Sequence, residues 1–209
     1  MKNKSLLART AVGALGGIML VGMAGVAFAA EVEDDTVDVT VAIEGADPVG
    51  ALTMTVAADS AVLTEGTADA EGNRVFNGAL PTVTVSDDRS EVPVGQFWYV
   101  TGTSSAFTAA GAPQIGAEHL GWLPNLITEA PEGTEVVEGP QVDTVLDEGP
   151  NNVGLVGEEL LAMSDSSEAA APTGSWDANA ALFLKTPANV AAGNYSATIT
   201  LTLWEDALD

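Results

Sequence analysis

Phe76-Asn-Gly-Ala-Leu-Pro-Thr-Val-Thr-Val-Ser-Asp-Asp-Arg89, Gln96-Phe-Trp-Tyr-Val-Thr-Gly102 and Gly116-Ala-Glu-His-Leu-Gly-Trp-Leu-Pro-Asn-Leu126 follow one another within 51 residues. In the first run Val83 and Val85 alternate with Thr82 and Thr84, the period of two that puts one face of a strand on a core. The second run is a dense aromatic strand. The third is broken by Gly and Pro, as a return between strands is. This stretch is therefore a β unit, and it also holds three of the five Phe, two of the four Trp and the only His.

The same period appears on either side of it. Toward the C-terminus Tyr195, Ala197, Ile199, Leu201 and Leu203 share one face, and Ser196, Thr198, Thr200, Thr202 and Trp204 share the other. Toward the N-terminus, in residues 36–43, Val37, Val39, Val41 and Ile43 alternate with Thr36, Asp38, Thr40 and Ala42. Further strands are expected at Leu52, Met54 and Val56, at Val62-Leu63, near Val136, at 142–146 and at 180–185, and Val75-Phe76 leads through Asn-Gly into Pro81. Residues 107–126 read as a short strand and a long return. Residues 157–163 are the one expected helical turn, anchored by Leu160 and Leu161, and 164–174 read as a solvent loop. Many short strands between Gly/Pro turns, without amphipathic helices of ordinary length, specify an all-β fold. Its expected form is an antiparallel β-sandwich with Greek-key-like connections, one domain over 30–209.

The first 29 residues read as a signal peptide. Lys2, Lys4 and Arg9 precede an apolar run from Ala11 to Phe28, and Ala27-Phe28-Ala29 is an A-x-A cleavage signature before Ala30. The whole chain has 6 basic and 30 acidic residues, a net charge of −24. Cleavage leaves Arg74, Arg89 and Lys185 against all 30 acids, a net charge of −27. Such a chain repels phosphate backbones and anionic membrane surfaces, which excludes direct nucleic-acid binding as an expectation. No second apolar span is expected to cross a membrane after cleavage. There is no cysteine, so disulfides and thiol chemistry are excluded.

Catalytic motifs are missing. His119 is the only histidine, no Gly-x-Ser-x-Gly elbow occurs, and one His cannot build a multi-His zinc centre. A packing or hydrogen-bonding role is expected for His119, no catalytic residue is assigned, and no cofactor is implied. A glycan-acting enzyme with paired carboxylates stays a remote alternative. Asp87 and Asp88 follow a strand end and are weak calcium candidates without the Asp-x-Asp-x-Asp-Gly pattern of a calcium loop.

The aromatics carry more information. Pleating puts Trp98 and Val100 on one face of their strand and Phe97 and Tyr99 on the other. Either a loop covers the second face, the commoner arrangement, or an aromatic platform is exposed that can stack on sugar rings. Phe97, Tyr99, Trp122 and Trp204 are thus the candidates for contact with a ligand or partner.

The order of these features resembles the WxL domain of Gram-positive cell-surface proteins, in the divergent form of high-GC lineages. The residues that carry the resemblance are Val83-Thr-Val85-Ser-Asp87-Asp-Arg89, Trp98-Tyr-Val100 and Gly193-Asn-Tyr195-Ser-Ala197-Thr-Ile-Thr-Leu201-Thr-Leu203. The first signature motif reads Trp-x-Val here. The second reads Leu-x-Leu, with Leu201 where the family has Trp. The resemblance implies an exported, non-enzymatic β domain held non-covalently to the peptidoglycan of the cell wall or to other surface proteins. An assembly subunit that pairs edge strands with its neighbours is the alternative.

Overall fold

A computed structural model describes residues 50–129 and 136–207. The expected signal peptide and the expected strand at 36–43 lie outside the described residues. Two antiparallel sheets pack face to face. The first is formed by β1 (Leu52–Val56), β2 (Thr64–Glu65), β3 (Arg74–Asp87), β5 (Leu120–Leu126) and β8 (Ser175–Thr186). Its order is β1-β3-β8-β5, with β2 also on β3. The second contains β4 (Gln96–Ser104), β6 (Val136–Glu138), β7 (Glu159–Ser164) and β9 (Ile199–Ala207), in the order β6-β7-β4-β9. The expected all-β sandwich is the observed architecture.

The core follows from alternation. Trp176, Ala178, Ala180, Leu182 and Leu184 point inward from β8, and Leu120 and Trp122 meet them from β5. Trp98, Val100 and Leu161 close the core from the second sheet. β3 needs one correction of phase to join them. Phe76, Gly78 and Leu80 are even-numbered, whereas Val83 and Val85 are odd. A bulge sets Pro81 and Thr82 against a single residue of β8, since Leu80 pairs Ala180 and Val83 pairs Ala178. The extra residue flips the parity, so both halves face the core, and Pro81 falls where an N–H is not needed in the ladder.

Several sequence expectations are revised. Residues 157–163 contain no helical turn: β7 runs through them and pairs with both β4 and β6. A bulge inserts Leu161 opposite β4, between Leu160 and Ala162, and both Leu161 and Ala162 are buried. Two neighbouring buried apolar residues mimic a helical face in sequence, and sheet pairing overrides that local reading. Residues 164–174 are no solvent loop either. They form a short helix α1 (Ser167–Ala170), capped by the Ser166 hydroxyl accepting from the Ala169 N–H, and then a 3-10 turn (Ala171–Thr173). Ser164, Ser167 and Ala170 are buried there. Residues 142–146 contribute one bridge, Val142 to Trp122, rather than a strand. The short strand expected at Val62-Leu63 lies two residues later, at β2.

Candidate functional site

The outer face of the second sheet is built by the residues that alternate with its core. Trp98 and Val100 are buried, so Phe97 and Tyr99 project from the opposite side of β4. Tyr99 lies directly across from Trp204 of β9, in regular register. The rings stack: Phe97 on Tyr99 with centroids 5.9 Å apart at 19°, and Tyr99 on Trp204 at 6.2 Å and 18°. The indole Nε1–H of Trp204 donates to Thr101 Oγ1 at 3.0 Å, which ties the ring to β4 and gives the buried Thr101 hydroxyl a partner. Trp204 is 38% exposed.

Two residues that sequence reasoning did not select extend this row. Met163 pairs Tyr99 from β7, and Val137 of β6, 49% exposed, pairs Met163. Val137, Met163, Tyr99 and Trp204 therefore cross all four strands in line, about 14 Å at the usual strand spacing. Met163 escaped notice because its segment was expected to be helical. Val137 carried a signal, as one of a Val pair in an expected short strand. Val137 and Trp204, at the two ends of this row, are exposed, and Met163 and Tyr99 between them are half-buried. Asp206 lies across from Phe97 and adds a carboxylate beside the row.

The fourth contact candidate is placed elsewhere. Trp122 is fully buried and points into the core from β5, so it cannot touch a ligand. Gly102 of β4 makes room for it: a Cβ there would lie 2.7 Å from the Trp122 ring. The alternation Leu120-x-Trp122-x-Pro124 was readable as a core face, but the Gly and Pro around it hid a seven-residue strand inside the expected return.

The residues that carry the WxL resemblance lie close together at one edge. Leu201 and Leu203 of β9 face inward and pair with Gly102 and Val100 of β4, so the two altered motifs sit on adjacent strands. Asp87 and Arg89, at the end of β3, form an ion pair that reaches across the sandwich. The Arg89 Nε–H and one Nη2–H donate to the two oxygens of Asp87 at 2.8 and 2.7 Å. Arg89 also meets Glu205 of β9 at 3.0 and 2.8 Å. Burial pushes the Asp87 carboxyl up, but the guanidinium hydrogen bonds outweigh this and hold it below the usual carboxylate range. The Arg89 guanidinium is raised above its ordinary value, first by its hydrogen bonds to Asp87.

This clasp occupies the corner where the calcium candidates lie. Both Asp87 oxygens are engaged by Arg89, which stands where a cation would, and Asp88 Oδ1 accepts the Ala51 N–H at 2.6 Å. Among the described residues no cluster of three or more His, Asp or Glu side chains could hold a metal ion. His119 ends a 3-10 turn (Ala117–His119), and its Nδ1 lies 2.8 Å from the Lys185 carbonyl. Since a carbonyl only accepts, Nδ1 carries the proton, which is the hydrogen-bonding role expected of it. No described helix is long and apolar enough to cross a membrane. No protein-family model and no curated protein matches this chain.

Proposed function

We propose that the protein is a secreted, non-enzymatic, WxL-like surface module that associates non-covalently with the cell wall. Its contact surface in this reading is the outer face of the second sheet. The observation that carries the reading is the stacked row Phe97, Tyr99 and Trp204, carried on two adjacent strands rather than on loops. Aromatic side chains on a sheet face can pack on the apolar faces of sugar rings, and the acidic net charge favours a neutral glycan strand over an anionic polymer. Trp98, Val100, Leu201 and Leu203, the family-motif positions, support the platform from inside.

Sedimentation with purified peptidoglycan tests this. The wild-type chain should co-sediment, and Trp204→Ala and Tyr99→Ala should each weaken retention by roughly tenfold or more, the scale of a central aromatic contact. Equal retention of the variants, or none for the wild type, would count against the platform. Turnover of any glycan would overturn the non-enzymatic reading.

A further inference from the structure

A groove of about 990 Å³ runs between the sheets on the inner side of β9, away from the aromatic row. Its walls include Met54 of β1, Phe76 of β3, Leu182 and Leu184 of β8, and Ile199 and Leu201 of β9. Among the described strands β1 and β9 each end a sheet and are not paired with one another, and Met54, Ile199 and Leu201 there are only half-buried. The volume lies at the upper end of ordinary ligand pockets, roughly 300–1,000 Å³. One buried polar group interrupts the apolar wall. Thr186 ends β8 in the same phase as Leu182 and Leu184, so its side chain turns inward with theirs, and it lines the groove. It is fully buried, and its Oγ1 has no hydrogen-bond partner among the described residues. A buried hydroxyl left unmatched is costly, and a bound molecule that supplies a partner removes that cost.

We propose that this groove binds an uncharged aliphatic molecule with one hydrogen-bonding group, of the class of a medium-chain alcohol. Its polar group meets Thr186 Oγ1 and its chain lies along β8 toward Leu182. The charges on the walls decide against an ionised head. Arg74 and Asp59 are the charged side chains among the described residues that line the groove. Arg74 pairs with Thr186 across the sheet, but its Nε–H and an Nη2–H donate to the two oxygens of Glu65 at 2.7 and 2.9 Å, so its charge is already matched. Asp59 is exposed and not beside the buried hydroxyl. An unpaired carboxylate or ammonium group carried in to Thr186 would lose far more in hydration than one hydrogen bond returns. From Thr186 to Leu182 the strand runs about 13 Å, and the inward side chains of Leu184 and Leu182 supply the apolar contacts along it. The inference goes beyond wall binding and does not rest on it, since that reading uses the opposite face of the second sheet.

The full chain is titrated with decanol in competition with Nile red, a neutral apolar dye. Decanol should displace the dye saturably, and decanoate, the same chain with a charged head, should bind about tenfold more weakly or worse. Thr186→Val keeps the shape of the side chain without its hydroxyl. It should weaken decanol by roughly threefold to tenfold and leave hexane, which cannot hydrogen-bond, unchanged. Ala197 is a half-buried wall residue, so Ala197→Trp puts a ring into the groove and should abolish displacement by both, in a chain that still unfolds cooperatively. No saturable displacement by decanol, or equal affinities for decanol and decanoate, would overturn the proposal. Undiminished decanol binding by Ala197→Trp would place the dye and the alcohol elsewhere and overturn it as well. Equal losses for decanol and hexane in Thr186→Val, or no loss for either, would show that the hydroxyl recognises nothing, with the same consequence.

Discussion

Two side-chain contacts hold the sandwich at points where a single atom matters. Gly102 carries no Cβ because the Trp122 ring occupies its place. Gly102→Ala should destabilise the fold by about 1–3 kcal/mol through overpacking, read as a lower urea midpoint with an unchanged slope. At the other end, Asp87 and Arg89 are almost entirely shielded from solvent, and their pair links the last turn of β3 to β9. Arg89→Met would leave a buried carboxylate without its partner, at a cost of about 3–5 kcal/mol near neutral pH. The sign with pH follows from Asp87. Its folded value is depressed, so its stabilisation is complete above the unfolded carboxylate value near ~3.9 and is lost as pH falls through the folded value. Urea unfolding should therefore show a wide gap between wild type and Arg89→Met at pH 7 that narrows steadily below about pH 4. A gap that stayed constant would mean that Asp87 does not couple to the loss.

At the scale of strands, what the sequence disclosed depends on whether a strand is regular. The two faces of β9 were legible although the strand begins at Ile199 and not at Tyr195, and Trp204 stays on the outer face with Thr200 and Thr202 because the register to β4 is unbroken. The aromatic strand was equally clear, and with it the split between Trp98 inside and Phe97 and Tyr99 outside. Bulged strands were not. In β7 the inserted Leu161 breaks the period of two, and the platform residue Met163 was lost with it. In β3 the phase change at Pro81 made one strand of 14 residues look like two. Trp122 was misplaced for a different reason: the Gly and Pro around it hid the strand whose alternation turns it inward, where Gly102, twenty residues away, leaves room for its ring. The β3 bulge can be tested directly. Deleting Thr82 would force one half of the strand to turn its apolar residues outward, so cooperative unfolding and the near-ultraviolet signal of the tryptophans should be lost. Pro81→Ala keeps the extra residue and should keep both.

The whole molecule is an acidic surface with very few counter-charges. Each of the three cations beyond the first thirty residues is already engaged: Arg74 with Glu65, Arg89 with Asp87 and Glu205, and Lys185 with Asp69 and Asp147. The remaining carboxylates repel one another across the surface, which weakens the compact state. Salt acts on these two populations unequally. The Debye length falls from about 30 Å at 0.01 M to about 10 Å at 0.1 M, so long-range repulsion between exposed acids is screened, while shielded pairs such as Asp87 and Arg89 are screened much less. The thermal midpoint should thus rise with sodium chloride between about 0.01 and 0.5 M, the reverse of what a fold resting on exposed ion pairs would show. Magnesium or calcium chloride at matched ionic strength should follow the same curve if screening is the cause. A calcium curve that separates from the magnesium one would locate a specific cation site instead, outside the Asp87–Asp88 corner that the arginine already fills.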